Sequence, residues 1–149
     1  GLHLVARVGE GATITAEFTV TENHQGAPGL AHGGLLSLAF DEALGKLMWL
    51  LRAPAVTARL ETDFLKPVPM GSKLFISAEI TGQVSRKVYC SAVGRLNSPD
   101  GEIVVRAAAL FVIVPMSHFL QNAPAEYLEA IAKTPEVLAF VDPNFNINP

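Results

Sequence analysis

Two carboxylates sit in the middle of an apolar stretch. The segment GLAHGGLLSLAFDEALGKLMWLL runs from Gly29 to Leu51 and carries Asp41 and Glu42 among Leu, Ala, Phe, Met and Trp. A carboxylate turned toward a protein interior costs several kcal/mol unless something compensates it. Either both side chains lie on a wet stripe, or at least one is held inside for chemistry. Just upstream, His32-Gly33-Gly34 spans the start of what reads as a helix. Backbone N–H groups there have no intrahelical partner, and the helix dipole favours negative charge. Glycine also lets a ligand approach the backbone closely. The corner is therefore a candidate oxyanion hole for a carbonyl under attack. The same two glycines equally serve as a plain loop-to-helix corner.

The spacing adds a constraint. Asp41 lies nine residues beyond His32, about 13 Å along a helix axis. One carbonyl cannot be within ~3 Å of both the Gly33 N–H and the Asp41 carboxylate of the same helix. If both act, they come from two chains whose helices run antiparallel. Composition points the same way. Of 149 residues, 50% are hydrophobic and 17% charged, against about 25% charged in an ordinary domain. A chain this short of charge is expected to cover part of its surface with another copy of itself.

The elements that must position these residues follow from periodicity. Residues 2–8 and 12–20 alternate as strands around a Gly9–Gly11 turn, and TENHQGAPGLAHGG is a loop. Leu35 to about Arg52 reads as a largely buried helix that Pro54 ends. Four strands are expected next, at roughly 55–65, 73–83, 86–97 and 102–114. In the first, Val56, Ala58, Leu60, Thr62 and Phe64 alternate with Thr57, Arg59, Glu61 and Asp63. KPVP at 66–69 interrupts, and NSPDG at 97–101 reads as a hairpin turn. The last strand is almost continuously apolar, so it is expected to be central or covered on both faces. PAEYLEAIAK reads as an amphipathic helix before a Pro/Asn-rich end. The fold class is α+β: antiparallel strands wrapped on one long helix.

Several classes of function fall away. A net charge of −3 offers no basic stripe for nucleic acid. No stretch reaches about 18 uninterrupted apolar residues, and no signal-peptide pattern is visible, so membrane insertion is not expected. The single cysteine, Cys90, precludes an internal disulfide and reads as core packing in a reducing compartment, the cytoplasm. His3, His24, His32 and His118 lack ligand-like spacing, so no metal is expected. Ser37, inside the apolar helix, lacks a nucleophile-elbow context, and no Ser-His-Asp triad is apparent.

HQGAPGLAHGG, then DEALG, VTARLETDFLKPVPMGS and RKVYCSAVGRL, resemble the hotdog-fold acyl-CoA thioesterases. The similarity is to the branch containing the phenylacetate-pathway enzymes and thioesterase superfamily members 2 and 4, and it covers roughly residues 13–115. It implies a hotdog domain over 1–118, with 119–149 as a helix and tail of unknown role. It further implies that Asp41 is the catalytic carboxylate, as general base for water or as nucleophile. Gly33 then polarises the thioester carbonyl, with His32 and Gly34 shaping that corner, and Thr57 holds the attacking water. Where some relatives carry Asn, this chain has Gly26, which leaves Asn23, His24 or Gln25 as replacements. Lys66, Arg86 and Lys87 become candidates for the coenzyme A phosphates. Leu35, Leu38, Phe40 and Met48 become candidates for the acyl chain. The implied partner is a second copy, with dimers pairing into tetramers. No cofactor is needed beyond the coenzyme A thioester as substrate. A hydratase or dehydratase using His32 and the second copy's Asp41, or a non-catalytic acyl-CoA-binding protein, are the alternatives on the same fold.

Overall fold

The computed structural model describes Leu2, residues 4–122 and residues 124–126. Six antiparallel strands form one sheet: β1 (Val5–Val8), β2 (Thr13–Thr19), β3 (Ala55–Phe64), β4 (Lys73–Val84), β5 (Lys87–Leu96) and β6 (Ile103–Ile113). Their order across the sheet is β1-β2-β4-β5-β6-β3. One long helix, α1 (Gly33–Leu50), packs against β2 to β6, and a short α2 (Met116–Asn122) follows the last strand.

The sheet can curl around α1 because its inner face is lined by small side chains. Ala78 of β4, Ala92 of β5 and Ala107 of β6 stand in one row across three strands. The neighbouring row holds Ile76, Gly94 and Val105. Bulk comes from the helix: Phe40, Leu44 and Leu47 are fully buried. A Cβ on Gly94 would lie 2.8 Å from Phe40 Cζ, so only glycine admits that ring. Burying each such side chain is worth about 1.5–3 kcal/mol. The Asn97–Gly101 turn joins β5 to β6, with Asn97 at φ 61°, a left-handed conformation that asparagine tolerates.

β2 to β6 lie within one or two residues of where alternation puts them, whereas β1 starts at Val5, three residues later than expected. α1 begins at Gly33, two residues before Leu35. It ends at Leu50, with Arg52 at φ 50° ahead of Pro54. The apolar β6 is flanked by β5 and β3, but its outer face is open in the single chain, where Arg106 and Ala108 are exposed. α2 has no counterpart in the sequence reading. The helix expected in PAEYLEAIAK falls mostly outside the described residues.

One expectation about β3 is overturned. Simple alternation puts Thr57 on the face opposite Leu60, Thr62 and Phe64. The register with β6 slips between Thr57 and Arg59, leaving Ala58 as an extra residue. Thr57 pairs with Phe111, Leu60 with Ala109, Thr62 with Ala107 and Phe64 with Val105. Directly paired residues share a face, so the bulge turns Thr57 onto the helix-facing side with the other three.

Candidate active site

The glycine corner is held by backbone bonds from three directions. His32 N–H donates to the His24 carbonyl at 2.7 Å, Ala31 N–H to Val68 O at 2.9 Å, and Met70 N–H to Gly29 O at 2.9 Å. The 66–69 segment that interrupts the strands thus pins the approach to α1. His32 caps the helix: its Nδ1 accepts from Gly34 N–H at 2.9 Å, and its carbonyl accepts from the Leu35 and Leu36 N–H groups. An Nδ1 that accepts carries no proton, so in neutral His32 the proton sits on Nε2. The first turn is then satisfied except at Gly33, whose N–H has no acceptor among the described residues.

Asp41 is half-buried two turns further along α1. Thr57 Oγ1 donates to its Oδ1 at 2.9 Å, a bond that exists because the bulge faces Thr57 inward. Between these two points Ser37 Oγ lies 3.0 Å from Thr62 Oγ1. A Cβ on Gly33 would meet the Phe64 ring at 3.3 Å. Gly33, Ser37 and Asp41 of α1 therefore run beside Phe64, Thr62 and Thr57 of β3, forming a polar seam along a sheet edge. β3 pairs with β6 on one side and is open on the other. Glu42, also half-buried, is one residue on, about 100° around the helix from Asp41.

The remaining candidates sort by position. His24 is structural: its Nδ1 accepts from Thr21 N–H at 2.9 Å and its ring packs on Phe18 with centroids 4.9 Å apart. Gln25 Oε1 accepts from Gly29 N–H at 3.0 Å, which closes the loop. Asn23 is exposed on the 3-10 turn Glu22–His24. A Cβ on Gly26 would stand 2.8 Å from His32 Cα, so no larger residue fits there without displacing the cap. Lys66 pairs with Glu102 near the Gly33 end of the seam. Arg86 lies in the β4–β5 turn and Lys87 opens β5 opposite Val112, at the Thr57 end. Phe40 and Met48 belong to the core at 0% and 5% exposure, which removes them as acyl-chain contacts. Leu38, 43% exposed, and half-buried Leu35 keep access to the surface. Cys90 is buried, and desolvation pushes its thiol up to about 11.

Residues 28–97, which hold the glycine corner, α1, Asp41 and Thr57, match the family described as Thioesterase superfamily. The acyl-coenzyme A thioesterase THEM4 of Xenopus laevis is 31% identical over 88 residues, covering 59% of this chain and 39% of that protein. The chain thus spans well under half the length of this curated relative. Among solved structures, the E. coli PaaI protein from the phenylacetic acid degradation operon superposes with a TM-score of 0.69 at 18% identity, covering 76% of this chain and 80% of that one. A Streptococcus mutans protein bound to acetyl CoA gives a TM-score of 0.69 at 17% identity, covering 75% of this chain and 89% of its own. Helix and sheet order agree with these structures: the chain has their hotdog fold, and its residues 28–97 are similar to the thioesterase superfamily.

Proposed function

We propose that the chain is an acyl-CoA thioesterase whose active centre is shared by two copies. It hydrolyses the thioester of a fatty or aryl acyl-CoA to the free acid and coenzyme A. One observation carries the reading. The unsatisfied Gly33 N–H and the Thr57-held carboxylate of Asp41 lie on one helix eight residues apart, about 12 Å. Neither half can serve the other within one chain. Antiparallel pairing of two β3 edges brings each Gly33 corner opposite the second copy's Asp41, and the low charge content fits such burial. The THEM4 relative's name and the acetyl CoA bound by the S. mutans protein support the substrate class.

The chemistry follows from the groups. The Gly33 N–H donates to the carbonyl oxygen and stabilises the charge that develops there, worth roughly 10²–10³-fold. A water donates one hydrogen to Thr57 Oγ1 and the other to the free oxygen of Asp41, which leaves its lone pair facing the carbonyl carbon. Asp41 takes the proton as the C–O bond forms, contributing about 10²–10⁴-fold. The C–S bond then breaks and the thiolate leaves. His32 supports the oxyanion corner by occupying Gly34 N–H, which leaves Gly33 as the donor. Lys66 of one copy and Arg86 and Lys87 of the other lie at the two ends that antiparallel pairing joins, which suits them to the coenzyme A phosphates. Asn23 borders the same loop, and Leu35 and Leu38 suit the acyl chain. The lone buried thiol fits a cytoplasmic setting, and among the described residues no helix is long and apolar enough to cross a membrane.

The test follows free thiol release from short-chain, long-chain and aryl acyl-CoAs by the purified chain and Asp41→Ala. The expected loss is at least ~10²-fold with the dimer intact by sedimentation. Equal release by both removes Asp41 from the mechanism. No release by either, with acyl-CoA still bound, favours a binding protein.

A further inference from the structure

Ser37 stands four residues from Gly33 and four from Asp41, and its Oγ lies 3.0 Å from Thr62 Oγ1. Two hydroxyls bonded to each other use one of their two hydrogens. The second hydrogen of this pair has no acceptor among the described residues. Both side chains are half-buried, so in the single chain that hydrogen is left to solvent, and it would need an acceptor if a second copy covered the seam.

We infer that the spare hydrogen is taken by the same two hydroxyls of a second copy, so that Ser37 and Thr62 meet at the two-fold axis and set the register of the two helices. The inference rests on the shared-centre reading above. When antiparallel helices match Gly33 of one copy with Asp41 of the other, residue 37 is the position that matches itself. A self-matched position in a two-fold interface lies at the axis. β3 carries the partner hydroxyl to the same place: Phe64 lies against Gly33, Thr57 bonds Asp41, and Thr62 stands between them. Four hydroxyls around one axis close a ring in which each donates once and accepts once. The hydrogen left to solvent in the single chain is then bonded when the second copy covers it.

This makes Ser37 and Thr62 positioning residues for both centres at once. They touch neither thioester nor water. They fix how squarely each Gly33 N–H faces the opposite carboxylate, a property that acts on kcat more than on KM.

Cross-linking tests the placement. Ser37→Cys under mild oxidation is expected to give a covalent dimer, because Cα atoms beside a two-fold axis fall within the roughly 7 Å that a disulfide spans. Cys90 is buried with its thiol raised to about 11, so it does not compete. Glu42→Cys, away from the axis, is expected to stay uncoupled. An intact dimer whose Ser37→Cys form resists oxidation overturns the inference while leaving the shared centre standing. A wild-type chain that sediments as a monomer overturns both. Kinetics test the role: Ser37→Ala and Thr62→Val each lower kcat about two- to tenfold with KM unchanged, the double variant costs no more than either, and Thr62→Ser retains the rate. An unchanged kcat in Ser37→Ala removes the positioning role.

Discussion

The two sides of α1 are built to opposite rules. Toward β4, β5 and β6 the helix presents Phe40, Leu44 and Leu47 to a floor that includes alanines and Gly94, and no charged side chain of these elements is buried there. Toward β3 it presents Gly33, Ser37 and Asp41 to Phe64, Thr62 and Thr57, half in solvent and tied by hydroxyls. The first side supplies the folding free energy; the second spends very little apolar area and holds the groups that could do chemistry. Adjacent residues therefore carry opposite duties, since Phe40 is fully buried in the core while Asp41 faces the seam.

Substitutions at these neighbours should separate the two properties. The largest effect is expected from Asp41→Asn, which lowers kcat/KM for acyl-CoA hydrolysis by about 10²–10⁴-fold. Its urea-unfolding free energy should stay close to wild type, as removing a half-buried charge at an active centre is commonly neutral or stabilising. Phe40→Ala should do the reverse, costing about 3–5 kcal/mol of stability in the same titration. If both substitutions damage activity and stability together, the two sides are one unit and the contrast fails.

The core side also makes a pH prediction. The folded Cys90 thiol is raised from 9.0 to about 11 by burial. Unfolding exposes a thiol that ionises two pH units earlier, so the stabilisation is complete below pH 9 and is lost as pH rises toward 11. The difference amounts to at most about 2–3 kcal/mol. Unfolding titrations at pH 8 and 11 should show a slope that Cys90→Ala reduces. On the seam, Thr57→Val should lower kcat by about tenfold, the worth of one charge-assisted hydrogen bond, while leaving the unfolding midpoint nearly unchanged. A Thr57→Ser form that recovers the rate would sharpen the assignment to the hydroxyl.

Much of this arrangement was legible in the residue order, for reasons that also mark its limit. Apolar periodicity located α1 and all six strands, because burial on one face leaves a local record. Helix geometry alone showed that Gly33 and Asp41 cannot share one carbonyl. The face of Thr57 is not legible, because nothing in VTARL announces a bulge at Ala58; the slip exists only in the pairing with β6. Phe40 and Met48 read equally as core and as acyl-chain contacts, because a nearly all-apolar helix does not reveal which side meets the sheet. Ser37 was weighed as a nucleophile and set aside, yet its spacing from both Gly33 and Asp41 was already a signal for a different role.

Ala58 carries a wider lesson about how such a strand can change over time. The bulge absorbs the surplus residue, so deleting Ala58 would leave Thr57 paired with Phe111 and facing Asp41 in a regular strand. A single-codon loss is thus harmless at this point, whereas the same loss at Glu61 would turn Thr57 and Thr62 to opposite faces of β3.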